Sequence, residues 1–355
     1  MSLRGVKAYD PDADQAASES GLYRIVENDV PTRRRVLIGL GVAGGAVTLG
    51  AGGVASAYWS DISQIRQNLA AQPSTVIEAR HGAMEYAEAG EGPPLLMIHG
   101  TGGGFDQGLL FARRLVDAGY RVIAPSRFGY LRSAFPDDPS SENQADALVD
   151  LLDHLGIERI AIAGGSAGAL PAMAFAIRHP DRTSALIPIV PAAYAPGRPP
   201  ARPWSATQTW VAENVLQSDF LFWSMMTAMP DTMIRTLLAT DPALVAAAPE
   251  SERARVSAIL RGILPASARA RGLLNDARLA GNPAPMDLAA IDAPTLAISL
   301  EDDFYLTADA ARHIAETVPG ARLIVYPDGG HVWVGRDAEM SAAIDGFLRE
   351  LGYSQ

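Results

Sequence analysis

From about Ser74 onward, short apolar runs of strand length alternate with longer stretches of helical period, the pattern of an α/β layered domain. Runs at Thr75–Ala79, Met84–Ala87, Leu95–Ile98, Arg121–Ala124, Ile160–Ala163, Ala185–Val190, Thr295–Ser299 and Leu323–Tyr326 predict strands. The first two alternate and turn at His81-Gly82, which predicts an antiparallel hairpin. The later runs are almost continuously apolar, as parallel strands covered on both faces should be. Between them Leu109–Ala118, Asn143–Leu155, Ala169–Arg178, Ala308–Thr317 and Ala338–Leu351 predict helices. The second of these places Ala147, Leu148, Leu151, Leu152 and Leu155 at a 3.6 period, and Gly156 stands where a C-terminal glycine cap belongs. His179-Pro180 closes the third. The alternation stops between Pro191 and about Leu288, where a proline-rich link leads into helical segments without strands. The expected architecture is a mostly parallel eight-stranded sheet flanked by helices. Its core spans 74–190 and 289–355, and a helical cap spans 191–288.

The amino-terminal part follows different rules. Residues 1–35 are polar and basic and carry no apolar period, so they are expected to be disordered. An uncharged, glycine-rich run covers 36–59, and 60–73 reads as a linker helix. A helix over 36–57 would be about 33 Å long at about 1.5 Å per residue, enough for a hydrocarbon core of about 30 Å. Two readings stay open. Thr32-Arg33-Arg34-Arg35-Val36-Leu37 followed by Ala55-Ser56-Ala57 has the layout of a twin-arginine export signal with a cleavage site. The same run, uncleaved, would be a single membrane anchor with its arginines held inside. Both put the remainder of the chain outside the cytoplasm.

Composition narrows the chemistry. The net charge of −11 offers no basic stripe for phosphates and argues against a nucleic-acid partner. With no cysteine there is no thiol nucleophile, no disulfide and no cysteine-held zinc. The six histidines show no HExxH or similar spacing, so no metal is indicated.

What remains points to a nucleophilic serine. Gly164-Gly165-Ser166-Ala167-Gly168 follows the apolar run Ile160–Ala163 and precedes a helix, the strand–turn–helix setting that a G-x-S-x-G turn requires. Small residues flank the serine because the turn is too sharp for larger ones. A serine hydroxyl needs a base, and His331 follows the last predicted strand and the loop Pro327-Asp328-Gly329-Gly330. The imidazole needs a carboxylate, and Glu301-Asp302-Asp303 ends the strand Thr295–Ser299, giving the chain order serine, acid, histidine.

On these residues the chain resembles the α/β hydrolases from about Thr75 to Gly352, the cap excepted. That family's acid commonly closes a G-x-x-D pattern; Leu300 stands in the glycine's place here, and the resemblance implies Asp303 rather than Asp302, which would then be a solvated turn residue. The resemblance further implies an oxyanion hole made by the backbone N–H groups of Ala167 and Thr101, with Gly102 as the alternate, in the loop His99-Gly100-Thr101-Gly102-Gly103-Gly104. His99 is expected to orient that loop. Trp333, close to His331, and Phe128, in Arg127-Phe128-Gly129-Tyr130, are candidates to touch substrate. Aromatic and methionine residues between Trp204 and Met233 either line a pocket or pack the cap.

The implied activity is hydrolysis of a carboxylic ester carrying an apolar acyl or aromatic part, with no cofactor. Lactone opening, C–C bond hydrolysis, amide or peptide hydrolysis and perhydrolysis are alternatives on the same triad. Haloalkane dehalogenases and epoxide hydrolases share the architecture but use an aspartate where this chain has Ser166. From a different class, a membrane-tethered binding protein without catalysis is the remaining alternative.

Overall fold

The computed structural model describes residues 50–198 and 205–353. Eight strands form one sheet in the order β1-β2-β4-β3-β5-β6-β7-β8: β1 Thr75–Ala79, β2 Gly82–Ala89, β3 Pro94–Ile98, β4 Arg121–Pro125, β5 Ile160–Gly165, β6 Thr183–Ile189, β7 Leu296–Leu300 and β8 Arg322–Tyr326. The β1–β2 hairpin is antiparallel, β2 pairs antiparallel with β4, and every later pairing is parallel. The eight apolar runs are these eight strands. Every residue of β5 is buried, because β3 and β6 flank it and helices cover both faces. One face carries α4 (Ser141–His154) and α5 (Ala169–Arg178), the other α3 (Arg113–Asp117) and α13 (Asp337–Glu350).

The helix expected over Leu109–Ala118 is instead two, α2 (Phe105–Phe111) and α3, meeting at Ala112. It begins earlier because Gly108 lets α2 lie directly on the sheet: a Cβ there would stand 2.9 Å from both the Ala124 Cβ and the Met97 carbonyl oxygen. The glycine that weakens the helical signal is what seats the helix.

Between β6 and β7 the chain forms the inserted helices α6 (Ala206–Gln217), α7 (Asp219–Ala228), α8 (Pro230–Leu237), α9 (Pro242–Ala247), α10 (Glu250–Arg261) and α11 (Ala270–Gly281). Phe222, Trp223, Met226 and Met233 are buried, whereas Trp210, Phe220 and Met229 are exposed. Trp204 lies outside the described residues. Returning to the sheet, α12 (Thr307–Thr317) connects β7 to β8.

The chain divides into two units, Met1–Trp59 and Ser60–Gln355. The polar segment 1–35, its arginines and residues 36–49 of the apolar run lie outside the described residues. Helix α1 spans Gly50–Ala71, so Ala55-Ser56-Ala57 falls inside a helix. No helix among the described residues is long and apolar enough to cross a membrane. Nor is the segment from Ser60 to Ala71 a free linker. Ile62 is fully buried, the Trp223 indole N–H donates to Asp61 at 2.9 Å, Arg261 pairs with Asp61 at 3.1 Å, and Arg66 pairs with Asp219 at 2.8 Å. Ile62, Ile65 and Leu69 recur at helical spacing, the mark of a face that packs, but the surface they pack on is distant in sequence.

A docked helix and a linker respond differently to a truncated aliphatic side chain. Ile62→Ala is expected to lower the unfolding free energy by about 2–5 kcal/mol, as for a core aliphatic residue. Urea unfolding of the two proteins measures it, and an unchanged midpoint would return this segment to the status of a linker.

Candidate active site

Ser166 ends the central strand in a conformation few residues adopt. Its φ is +53°, in the left-handed region where a side chain is strained, and the 3₁₀ turn Ser166–Gly168 runs into α5. Two glycines make room for this turn. A Cβ on Gly164 would lie 2.3 Å from the Gly168 carbonyl oxygen, and one on Gly168 would lie 2.4 Å from the His99 carbonyl oxygen. Backbone therefore packs against backbone on both sides of the serine, which is left half-buried with its hydroxyl at the carboxyl end of the sheet.

The structure brings His331 and Asp303 to it. The Ser166 hydroxyl lies 2.8 Å from His331 Nε2, and His331 Nδ1 lies 2.7 Å from Asp303 Oδ2. With Nε2 accepting from the hydroxyl, the ring proton sits on Nδ1 and is donated to the carboxylate. Asp303 also accepts from the Thr307 hydroxyl, and at 2.8 Å from the Tyr305 N–H. Burial alone would push the Asp303 carboxyl up. The charge of His331 and the donors from His331, Thr307 and Tyr305 outweigh it and hold the carboxyl below its ordinary value. It is an anion built to stabilise an imidazolium.

Asp302, expected as a solvated turn residue, has a task of its own. Its carboxylate accepts the N–H groups of Gly329 at 3.1 Å and Gly330 at 2.8 Å, fixing the loop that delivers His331. The departure at Leu300 is absorbed across the sheet. Leu300 is fully buried opposite Tyr326, and Gly329, at φ +129°, leaves space where a Cβ would come within 2.6 Å of the leucine methyl.

Hydrogen bonding separates the two candidates for the oxyanion loop. The N–H of Gly100 donates to Gln107 Oε1 at 2.9 Å, that of Gly102 to the Tyr130 hydroxyl at 3.2 Å, and that of Gly103 to the Gly100 carbonyl at 3.3 Å. Among the described residues nothing takes the N–H of exposed Thr101 or that of Ala167. Gly102, the alternate donor, is thus already committed, and Thr101 is the position left open.

Two arginines hold this loop from behind. Arg127 donates to the carbonyls of His99 at 3.0 Å and Gly100 at 3.1 Å, and to Asp276 of α11 at 2.7 and 2.5 Å. Tyr130 donates to Asp276 as well. Arg269, fully buried at the start of α11, donates to the Gly103 carbonyl and pairs with Asp106 at 2.8 Å. His99 accepts the Arg127 N–H on Nε2 at 2.9 Å and donates from Nδ1 to the Gly100 carbonyl at 2.7 Å. Burial, with the charges of Arg127 and Arg269, holds its pKa well below the usual histidine value. It is a neutral strut, not a proton carrier.

Two residues expected to touch substrate do not face it. Phe128 is buried in the core with Ile77, Met84 and Leu148, its ring edge-on to His81 at 6.0 Å. Trp333 is buried against Phe111 with ring centroids 4.9 Å apart, and its indole donates to Asp337 at 3.2 Å. The place of Phe128 in the family's usual loop and the nearness of Trp333 to His331 say little about where either ring points. Tyr305 was missed. Its ring meets His331 edge-on at 4.9 Å, and its hydroxyl donates to the Thr236 carbonyl at 3.0 Å, joining the histidine to the cap.

Residues 93–334, more than half of the chain, match the family described as alpha/beta hydrolase fold. The hydrolase YcgS of Bacillus subtilis is 27% identical over 289 residues, 75% of this chain and 95% of that protein. A 2-hydroxy-6-oxo-6-phenylhexa-2,4-dienoate hydrolase of Comamonas testosteroni is 38% identical over 109 residues, 29% of this chain and 38% of its own. Among solved structures, a thermophilic esterase from Thermogutta terrifontis superposes with a TM-score of 0.57 at 26% identity, covering 79% of this chain and 99% of that one.

The two neighbouring carboxylates should separate kinetically. Asp303→Asn is expected to lower kcat on an activated ester by about 10⁴, as in a protease triad deprived of its acid. Asp302→Asn keeps an oxygen for one glycine N–H and should cost no more than about tenfold. Steady-state kinetics of both variants decide, and the reverse order would reassign the acid.

Proposed function

The chain belongs to the alpha/beta hydrolase fold family and is an enzyme of that fold; from this premise we propose that it hydrolyses an uncharged carboxylic ester with an apolar part, through an acyl-enzyme on Ser166. The observation that carries the reading is the unbroken chain from Ser166 through His331 to Asp303, together with the backbone N–H groups of Thr101 and Ala167, for which no partner stands among the described residues.

Each step uses a group already described. The Ser166 oxygen adds to the ester carbonyl as His331 Nε2 takes its proton, and Asp303 stabilises the imidazolium. The carbonyl oxygen becomes an anion held by the N–H groups of Thr101 and Ala167, worth about 3–4 kcal/mol for each donor in a comparable site. His331 returns the proton to the departing alkoxide, so the C–O bond breaks, the alcohol leaves and the acyl group stays on Ser166. Water then repeats the sequence: His331 takes its proton, the hydroxide adds to the acyl carbon, and collapse releases the acid and restores the serine hydroxyl.

Two features support the choice of substrate. Phe304, Tyr305 and Leu306 are exposed immediately after Asp303, an apolar lip suited to an acyl or aromatic group. The arginines beside the oxyanion loop are each neutralised by an aspartate, Arg127 by Asp276 and Arg269 by Asp106. Among the described residues a substrate carboxylate would find no spare cation beside that loop, which disfavours the dienoate-type substrate named for the Comamonas relative. C–C bond hydrolysis is kept as the second reading because that relative is 38% identical over its matched stretch.

Ser166→Ala is expected to abolish hydrolysis of p-nitrophenyl esters and labelling by a fluorophosphonate, with an unchanged circular dichroism spectrum. Labelling that persists at another serine would remove Ser166 from its role. We further propose that the amino-terminal segment directs the enzyme out of the cytoplasm. Replacing Arg33 and Arg34 by lysine keeps the charge, so a charge-read anchor would tolerate it, whereas a twin-arginine receptor would not. Cell fractionation should find export lost, and unchanged export would favour the anchor.

A further inference from the structure

The histidine of this site rides on a loop with little regular structure. Between β8 and α13 the backbone at Gly329, Gly330, Trp333 and Gly335 has positive φ. Inside the loop, Val334 donates to the Gly329 carbonyl at 2.7 Å and Trp333 to the Gly330 carbonyl at 3.2 Å. The core holds the backbone at the near end, through Asp302 on the N–H groups of Gly329 and Gly330, and beyond His331 it holds the Trp333 ring, packed on Phe111 with its indole donating to Asp337.

The far end is gripped by the cap. On α10, Arg255 donates to the carbonyl of Val332 at 2.7 Å and of Trp333 at 3.2 Å, the two residues that follow His331. Its guanidinium also lies 5.6 Å from the centre of the Trp333 ring. Glu252, one turn earlier on the same helix, accepts the Gly335 N–H at 3.0 Å and pairs with Arg255 at 3.0 Å. Side-chain exposures of 11% for Arg255 and 14% for Glu252 set this pair apart from a solvated i,i+3 pair on a helix surface. Burial pushes the Glu252 carboxyl up, but Arg255 and the Gly335 N–H outweigh it and hold the group below its ordinary value. A third cap residue, buried Thr240, packs against Gly330, where a Cβ would come within 2.5 Å of its methyl.

We propose that Glu252 and Arg255 are positioning residues for His331, so that the cap builds the catalytic base as well as covering the site. The inference rests on the role given to His331 above, and the physical reason is geometric. The imidazole must meet Ser166 and Asp303 at hydrogen-bond distance at once, and an error of about 1 Å costs about 100-fold in rate. A loop whose backbone the core holds at Gly329 and Gly330, with one ring anchored at Trp333, can still pivot between those anchors. Two carbonyls and one N–H held beyond His331 remove that pivot. The pair touches no reacting atom, so its loss should appear in kcat rather than in substrate binding.

The test uses the full chain with Arg255→Met, which keeps the apolar stem and removes the donors. Two readouts are taken: kinetics on a p-nitrophenyl ester, and amide hydrogen exchange of the 327–336 segment, with the β5 segment as the internal reference. Expected are a 10- to 100-fold lower kcat, KM within about twofold, and faster exchange in 327–336 with β5 unchanged. Arg255→Lys, which can still reach a carbonyl, should recover part of the rate. The double variant Glu252→Gln, Arg255→Met, which strands no charge, should keep the loss. Unchanged exchange in 327–336 overturns the proposal, and so does faster exchange with an undiminished kcat. Should Arg255→Met fail to fold, Glu252→Gln is read by the same two criteria. A parent protein that neither turns over esters nor labels at Ser166 would instead sink the esterase reading, and the exchange data alone would then judge the clamp.

Discussion

Arg127 and Asp276 meet at 2.5 Å with side-chain exposures of only 7% and 2%. Taking two charges out of water this completely is unfavourable unless nearly every donor and lone pair finds a partner. Here they do. Arg127 spreads its remaining donors over the carbonyls of His99 and Gly100, and Asp276 takes a further hydrogen bond from Tyr130, whose oxygen in turn accepts from Gly102. The consequence is a fixed oxyanion loop. With the other N–H groups between Gly100 and Gly103 drawn into this network or onto Gln107, that of Thr101 is the one left without a partner among the described residues. Electrostatic catalysis needs donors aimed before the charge appears, and a saturated buried ion pair is a stiff way to aim them.

The same logic recurs at the other catalytic loop, with the roles of core and cap exchanged. At the oxyanion loop, a core arginine meets a cap aspartate and a cap arginine meets a core aspartate. At the histidine loop, a core aspartate holds one end and a cap Glu–Arg pair the other. Tyr305 adds a third link, from the edge of His331 to a cap carbonyl. Through these contacts the cap is mechanically tied to both loops.

Much of the fold was legible because its causes are local. Strand-length apolar runs gave eight strands, and the helix Ala169–Arg178 ends where His179-Pro180 predicts. Chain order pointed to Ser166, His331 and the turn Glu301-Asp302-Asp303, with Asp303 implied by the resemblance, and a parallel sheet delivers the ends of β5, β7 and β8 to one edge, where these side chains meet at hydrogen-bond distance. What could not be read depends on pairings across the chain. Asp276 lies 149 residues from Arg127, and Arg269 lies 163 from Asp106. In sequence Glu252 and Arg255 look like any surface i,i+3 pair. Phe128 is a candidate through the place of its loop in the family and Trp333 through its nearness to His331, and neither shows that both rings pack into the core. Gly108 hid the start of α2 for the opposite reason, since a residue poor for helix formation was required by the packing of that helix.

If Ser166 carries the substrate's acyl group between two proton transfers by His331, an adduct should be caught by acid-quenching the reaction with a p-nitrophenyl ester in its first turnover. Peptide mass spectrometry should then find one acyl group per chain, on the peptide containing Ser166, released on a timescale that matches turnover. An acyl group on another residue, or ester turnover with no acyl-enzyme at any quench time, would remove Ser166 from that role.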